Sequence, residues 1–138
     1  FNVYGPGQVG EGAIRNFMIA ALSGAPITIH GDGAQIRAWC YVDDMIDCVL
    51  RALERPEAVG ETFNVGHPAS ASSIYALAEA IVRVTGSKSQ ITRVERAGAD
   101  VELRVPDVAK AKKLLGFEAQ VGLEEGIRRT ASWFAEAK

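Results

Sequence analysis

Gly5-Pro6-Gly7-Gln8-Val9-Gly10 carries the glycine spacing of a loop that can wrap a pyrophosphate. Such a loop works where it leaves a buried strand and opens a helix whose first N–H groups face the phosphates. Pro6 has no N–H to offer, and no complete strand–helix–strand unit surrounds the motif, so it reads as a glycine-rich turn. Asp43-Asp44 could share a proton or hold a metal. Adjacent helical residues point in different directions, however, and helix capping with dipole stabilisation accounts for both. His30 and His67 stand alone, without a nucleophile in a recognisable setting. Cys40 and Cys48 lack the spacing of a zinc pair and read as reduced, buried, structural thiols. None of these groups makes a catalytic site by itself.

The elements that would position any site follow from periodicity. Residues 13–23 place Ile14, Phe17, Met18 and Ala21 at helical spacing, and Gly24 stops the helix. Pro26 to Ile29 predicts a short strand, with a tight turn at Gly31-Asp32-Gly33. Ile36 to Val42 is extended, with Trp39 and Tyr41 on one face and Ala38 and Cys40 on the other. Asp43 is a helix N-cap, with Asp44 in the first turn, and the helix carries Ile46, Val49, Leu50 and Leu53 on one stripe before Pro56. Thr62 to Val65 predicts a strand. Ser72 or Ser73 caps a helix striped by Ile74, Leu77, Ala78 and Ile81, with Gly86 after its end. Gln90 to Val94 predicts another strand. Asp107 caps a short helix with Ala111, Leu114 and Leu115 inward, and a last helix runs from Leu123 to Ala137. The order is that of an α/β chain with short strands.

The chain has 138 residues, 48% hydrophobic and 23% charged, which suits one globular unit or a piece of a larger one. A net charge of −2 and scattered basic residues argue against a nucleic-acid partner. Lys110, Lys112 and Lys113 read as the solvated face of a short helix. No apolar run approaches the roughly 20 residues that cross a bilayer, and FNVYGPGQ lacks the features of an export signal. A cytoplasmic protein with no membrane contact is expected. The abrupt start on a strand-like Phe1-Asn2-Val3-Tyr4 suggests further sequence upstream.

Four stretches, FNVYGPGQ, PITIHGDGAQIRAWCYVDD, ETFNVG and RAGADVELRVPDVAKAKKLLGF, occur in that order across the chain. Together they resemble the extended short-chain dehydrogenase/reductase family, the NAD-dependent sugar-nucleotide epimerases and dehydratases above all. The resemblance implies a two-lobed enzyme. A Rossmann-type amino-terminal lobe binds NAD, and a smaller carboxy-terminal lobe binds a nucleoside-diphosphate sugar. Residues 1–138 would be the carboxy-terminal, substrate-binding portion plus the last elements of the NAD-binding domain, whose main part is absent. In the reaction so implied, NAD takes a hydride from the sugar ring to give a keto intermediate.

The family's catalytic Tyr-x-x-x-Lys pair has no counterpart here. Tyr4, Tyr41 and Tyr75 are followed four positions later by Gln8, Met45 and Glu79. The pair needs a tyrosine made acidic by a nearby ammonium. No catalytic residue is therefore assigned, no cofactor is expected on the isolated chain, and the chain alone is expected to be inactive. A non-catalytic binding or regulatory module of the same ancestry is the alternative.

Carried over position by position, the resemblance implies a substrate site at seven residues. Asn2 would reach the substrate's phosphate or sugar, and Arg37 and Arg96 would grip the diphosphate. Asn64 would lie near the phosphates, Asp100 by the ribose, and Thr28 and Ile29 would offer backbone groups to the base. These residue types suit such a ligand, since a guanidinium fork matches phosphate oxygens and an amide is a short neutral donor. Ala38 and Trp39-Cys40 depart from the family's commoner residues, which bears on the sugar rather than the class. A homo-oligomer is expected, because the helix after Asp43 and the opening strand would lack the lobe they pack against.

Overall fold

The computed structural model describes residues 1–96, 98 and 100–136. Ala97 and Ala99 of the RAGAD motif, and Ala137 at the expected end of the last helix, lie outside them. Among the described residues, seven short strands and five α-helices follow in the order β1 (Val3–Tyr4), α1 (Ala13–Ser23), β2 (Ile27–His30), β3 (Ile36–Ala38), β4 (Cys40–Tyr41), α2 (Val42–Glu54), β5 (Ala71–Ser73), α3 (Ile74–Thr85), β6 (Ile91–Val94), β7 (Leu103–Arg104), α4 (Ala109–Leu115) and α5 (Leu123–Glu136). The chain is α/β, as its patterning indicates.

The strands form three small sheets. β1 pairs in parallel with β4, and β2 pairs in parallel with β6. β3 is central to the third sheet, antiparallel to β5 and parallel to β7. The main core lies between the sheets and α1, α3 and α5, where Ile14, Met18, Ile27, Leu77, Ile81 and Ile127 are almost wholly buried. Gly126 lets α5 approach β1 closely: a Cβ there would collide with the Tyr4 hydroxyl, which itself donates to the Leu123 carbonyl at 3.3 Å. Burial, aided by the neighbouring Tyr41, Cys40 and Asp44, drives the Tyr4 hydroxyl pKa well above its usual value.

Helix ends follow local chemistry. Ser73 caps α3 by accepting from the Ala76 N–H at 3.1 Å, and Gly24, Gly86 and Gly116 end α1, α3 and α4 in the left-handed conformation. Asp107 accepts from the Ala109 N–H at 2.9 Å and so holds the start of α4, although the residue at the cap position is Val108.

Two expectations change. Helix α2 begins at Val42 with Tyr41 at the cap position and no side-chain cap, so Asp43 lies inside the first turn. Asp44 is buried and bonds across to another segment: its carboxylate accepts from the Gln120 and Val121 N–H groups at 2.9 and 3.0 Å. Residues 62–65 form no strand among the described residues. A strand needs a ladder, and Val65 takes one bond from the amino terminus of Phe1 at 2.8 Å. Residues 37–41 are buried on both faces, enclosed by α2, α5 and the neighbouring strands.

Candidate functional site

Arg37 sits on β3 with only 7% of its surface exposed. A cation so placed needs partners. Its Nη2 lies 2.9 Å from Asp100 Oδ1, and its Nη1 donates to the Ile36 carbonyl at 2.8 Å. The other Asp100 oxygen lies 3.3 Å from Arg96 Nη1. One carboxylate thus joins two guanidinium groups, and Asp100 Oδ1 also accepts from the Val101 N–H at 2.7 Å. Arg104 stands in register with Arg37 on the neighbouring strand. Burial lowers the Arg37 pKa below its ordinary value, with the charges of Arg104 and Arg96 adding to the effect. Asp100 thus offsets part of the positive charge that Arg37 and Arg96 bring together.

Two recesses flank β3. Consecutive strand residues point to opposite faces, and Ile36 lines one recess while Arg37 lines the other. The first, about 660 Å³, has Asp32, Gln35, Arg96, Asp100 and Glu102 in its wall. The second, about 300 Å³, is lined by Asn2, Tyr4, Gln8, Glu11, Arg37 and Trp39. Carboxylates predominate in the larger recess, which suits donor groups such as hydroxyls better than phosphates. The smaller one joins a guanidinium to two amides, the Glu11 carboxylate and the Trp39 indole, which is fixed by its Nε1–H donating to Ser72 Oγ at 3.0 Å.

Arg37, Arg96 and Asp100 form one ion-paired cluster, and Asn2 shares the smaller recess with Arg37. Among the described residues Asn2 is the non-glycine residue with left-handed backbone, φ 43°, and its Nδ2 donates to the Ala38 carbonyl at 2.9 Å. That bond ties the opening segment to β3 but commits one of its donors. Asn64 belongs elsewhere: it donates to the Asp107 carbonyl at 3.3 Å and shares a shallow recess with Phe63, Asp107 and Lys110. Thr28 and Ile29 are taken up in the β2–β6 ladder, with the Ile29 side chain in the core. Sequence reasoning missed Gln8, Glu11 and Trp39 as neighbours of Arg37. The available signal was the glycine-rich loop itself, which returns the chain after Tyr4 toward β3.

That loop does not fit a pyrophosphate. Helix α1 starts at Ala13, beyond the last glycine of the motif, and Gln8 covers its start, its Nε2 lying 2.7 Å from where a Cβ on Gly12 would be. Cys40 is fully buried, which pushes its thiol up to about 11 and leaves it a poor nucleophile. Among the described residues no group of three metal-ligating side chains occurs, and no helix is long and apolar enough to cross a membrane.

Residues 1–66, which supply Arg37 and most of the smaller recess, match the model of the NAD dependent epimerase/dehydratase family. The chain belongs to that family. It is 36% identical to UDP-glucuronic acid decarboxylase 1 of Xenopus tropicalis, over 97% of this chain and 32% of that protein. It is 35% identical to UDP-glucuronate 4-epimerase of Thermodesulfobacterium geofontis, over 99% of this chain and 42% of that protein. The structure of UDP-glucose 4-epimerase from Thermotoga maritima, solved with UDP-glucose, superposes with a TM-score of 0.90 at 34% identity, covering 99% of this chain and 44% of that one. The chain thus spans between 28% and 44% of the length of these curated relatives. Their fold is Rossmann-type, and the α/β arrangement above is part of it.

Proposed function

We propose that this chain is the carboxy-terminal, substrate-holding part of an NAD-dependent enzyme that remodels the sugar of a UDP-sugar, by epimerisation or decarboxylation. The observation that carries the reading is the Arg37–Asp100–Arg96 cluster between two recesses on β3. Arg37 and Asn2 offer donors to the diphosphate in the smaller recess, while the carboxylates of the larger one accept hydroxyls of the ribose. Relatives named for UDP-sugar substrates support UDP over other nucleotides. Asp100 then has two roles, holding both guanidinium groups in place and facing the ribose. Asn64, Thr28 and Ile29 are left with structural roles in this reading.

The chain's residues bind and orient; no step of sugar chemistry is assigned to them. Cofactor and proton-transfer groups belong to a separate lobe, and the chain alone is inactive. Titration of UDP into the 138-residue chain, followed by calorimetry, tests the reading. A hydrogen bond to a charged group contributes about 1.5–3 kcal/mol, so Arg37→Ala is expected to weaken UDP by roughly tenfold or more. Unchanged affinity in that variant, or NAD-dependent turnover by the chain alone, would overturn it.

A further inference from the structure

Arg37 already has its partners within the protein. Its Nη1 donates to the Ile36 carbonyl and its Nη2 to Asp100 Oδ1, at 2.8 and 2.9 Å. A phosphate gripped by arginine bonds two parallel N–H groups on one edge of the guanidinium. Those edges are Nη1 with Nη2 and Nε with Nη2, so each includes the nitrogen that faces Asp100. Whichever edge an incoming phosphate takes, it meets a carboxylate already there, and like charges at one donor repel.

The two members of the pair differ in what they tolerate. The Arg37 side chain is 8% exposed and that of Asp100 is 35% exposed. A buried guanidinium stripped of its counter-ion is strongly destabilising, so Arg37 has to keep one at all times. Asp100 has alternatives to Arg37: Arg96 Nη1 at 3.3 Å from Oδ2, the Val101 N–H at 2.7 Å from Oδ1, and water. Exchange of one anion for another at Arg37 therefore leaves every charge compensated. Departure of Asp100 with nothing in its place does not.

We propose that Asp100 is a resident counter-ion that holds Arg37 in an autoinhibitory contact, released only when a diphosphate takes its place. The proposal rests on the UDP-sugar reading above and deepens it, by naming what controls access to Arg37. A diphosphate brings more charge than one carboxylate and wins the exchange; a singly charged anion does not. The contact thus keeps ordinary small anions off Arg37.

Inorganic pyrophosphate is the probe, because it has no ribose for Asp100 to contact. It is titrated by calorimetry into the 138-residue chain, into Asp100→Asn and into Glu102→Gln. The first variant keeps the size of the side chain and an oxygen for the Val101 N–H. The second removes the same charge from the same recess and leaves the Arg37–Asp100 contact in place. Asp100→Asn is expected to bind pyrophosphate roughly 2- to 10-fold more tightly, and Glu102→Gln less than about 2-fold. Without ligand the Asn variant melts lower, since Arg37 has lost its counter-ion, and pyrophosphate raises it again. Unchanged or weaker binding by Asp100→Asn makes Asp100 a group that positions Arg37. Equal tightening in both variants makes the effect one of recess charge alone. Either result overturns the proposal while the diphosphate site stands. An Asn variant that folds at no pyrophosphate concentration also overturns it, because the ligand then cannot replace the carboxylate. If none of the three chains binds pyrophosphate, the UDP-sugar reading fails, and the proposal with it.

Discussion

Helix α3 sets Ile74, Leu77, Ala78 and Ile81 on one stripe and buries all four, whereas α2 sets Ile46, Val49, Leu50 and Leu53 on one stripe and leaves them 45–79% exposed. The two helices have similar lengths and the same periodic signal. What differs is the opposite face. In α2 that face carries Asp44, Cys48 and Ala52, one turn apart, and it packs against Ala111, Leu115 and Phe117 in a second, smaller core. Helix α2 is therefore apolar on two sides and α3 on one. A periodic stripe marks an apolar helix face; it does not by itself say that the face is buried.

The largest expected effect separates the two stripes directly. Leu77→Ala removes a fully buried side chain and is expected to cost about 2–5 kcal/mol. Leu53→Ala, at 79% exposed, is expected to change stability by no more than about 0.5 kcal/mol. Urea unfolding measures both. Equal losses would mean that α2 is covered, by a second copy or otherwise, and the contrast would be lost.

A second comparison lies within the first turn of α2. Asp44 accepts from two backbone N–H groups of the loop before α5, and Asp44→Ala is expected to cost about 1.5–3 kcal/mol as that loop loses its charged acceptor. Asp43 faces Arg129 at 3.7 Å with both side chains about half exposed, and Asp43→Ala is expected to cost less than about 1 kcal/mol. If the two variants unfolded at the same urea concentration, capping and dipole effects alone would explain the pair after all.

That pair marks where sequence reasoning stops. Asp43-Asp44 looks like a cap because the alternatives, a shared proton or a metal, need geometry that neighbours on a helix lack. Nothing in the string says that Asp44 is bonded to a segment 76 residues away. Helices α1, α3 and α5 were legible because each has one stripe, bounded by glycine or serine signals. Strand β5 was not, since Ala71-Ser72-Ser73 has no strand-forming residue and exists through its register with β3. Residues 62–65 show the converse, strand-forming residues without a ladder. In the site, Arg37 and Arg96 came from family resemblance. Their joint hold on Asp100 came from the fold, as did the place of Gln8, hidden in a loop that first looked like a dinucleotide motif.

The smallest effect on folding, and the most direct probe of the contrast, is a charged surface on α2. Ile46, Leu50 and Leu53 recur at helical spacing, so changing all three to Lys places the charges on one exposed face. Stability should shift little, because none of the three reaches either core. Association should change a great deal. An exposed apolar face of this kind attracts copies of itself, so the unaltered chain is expected to scatter light as a dimer or larger, and the triple variant as a monomer. A monomer in both would mean the face is tolerated in water at working concentrations, and its cover would have to be sought in the lobe proposed to carry the cofactor. The same triple change, made in a longer polypeptide that contains such a lobe, should then cost several-fold in folded yield. The shorter chain would lose nothing, because a charge is destabilising only where a partner would otherwise bury the position.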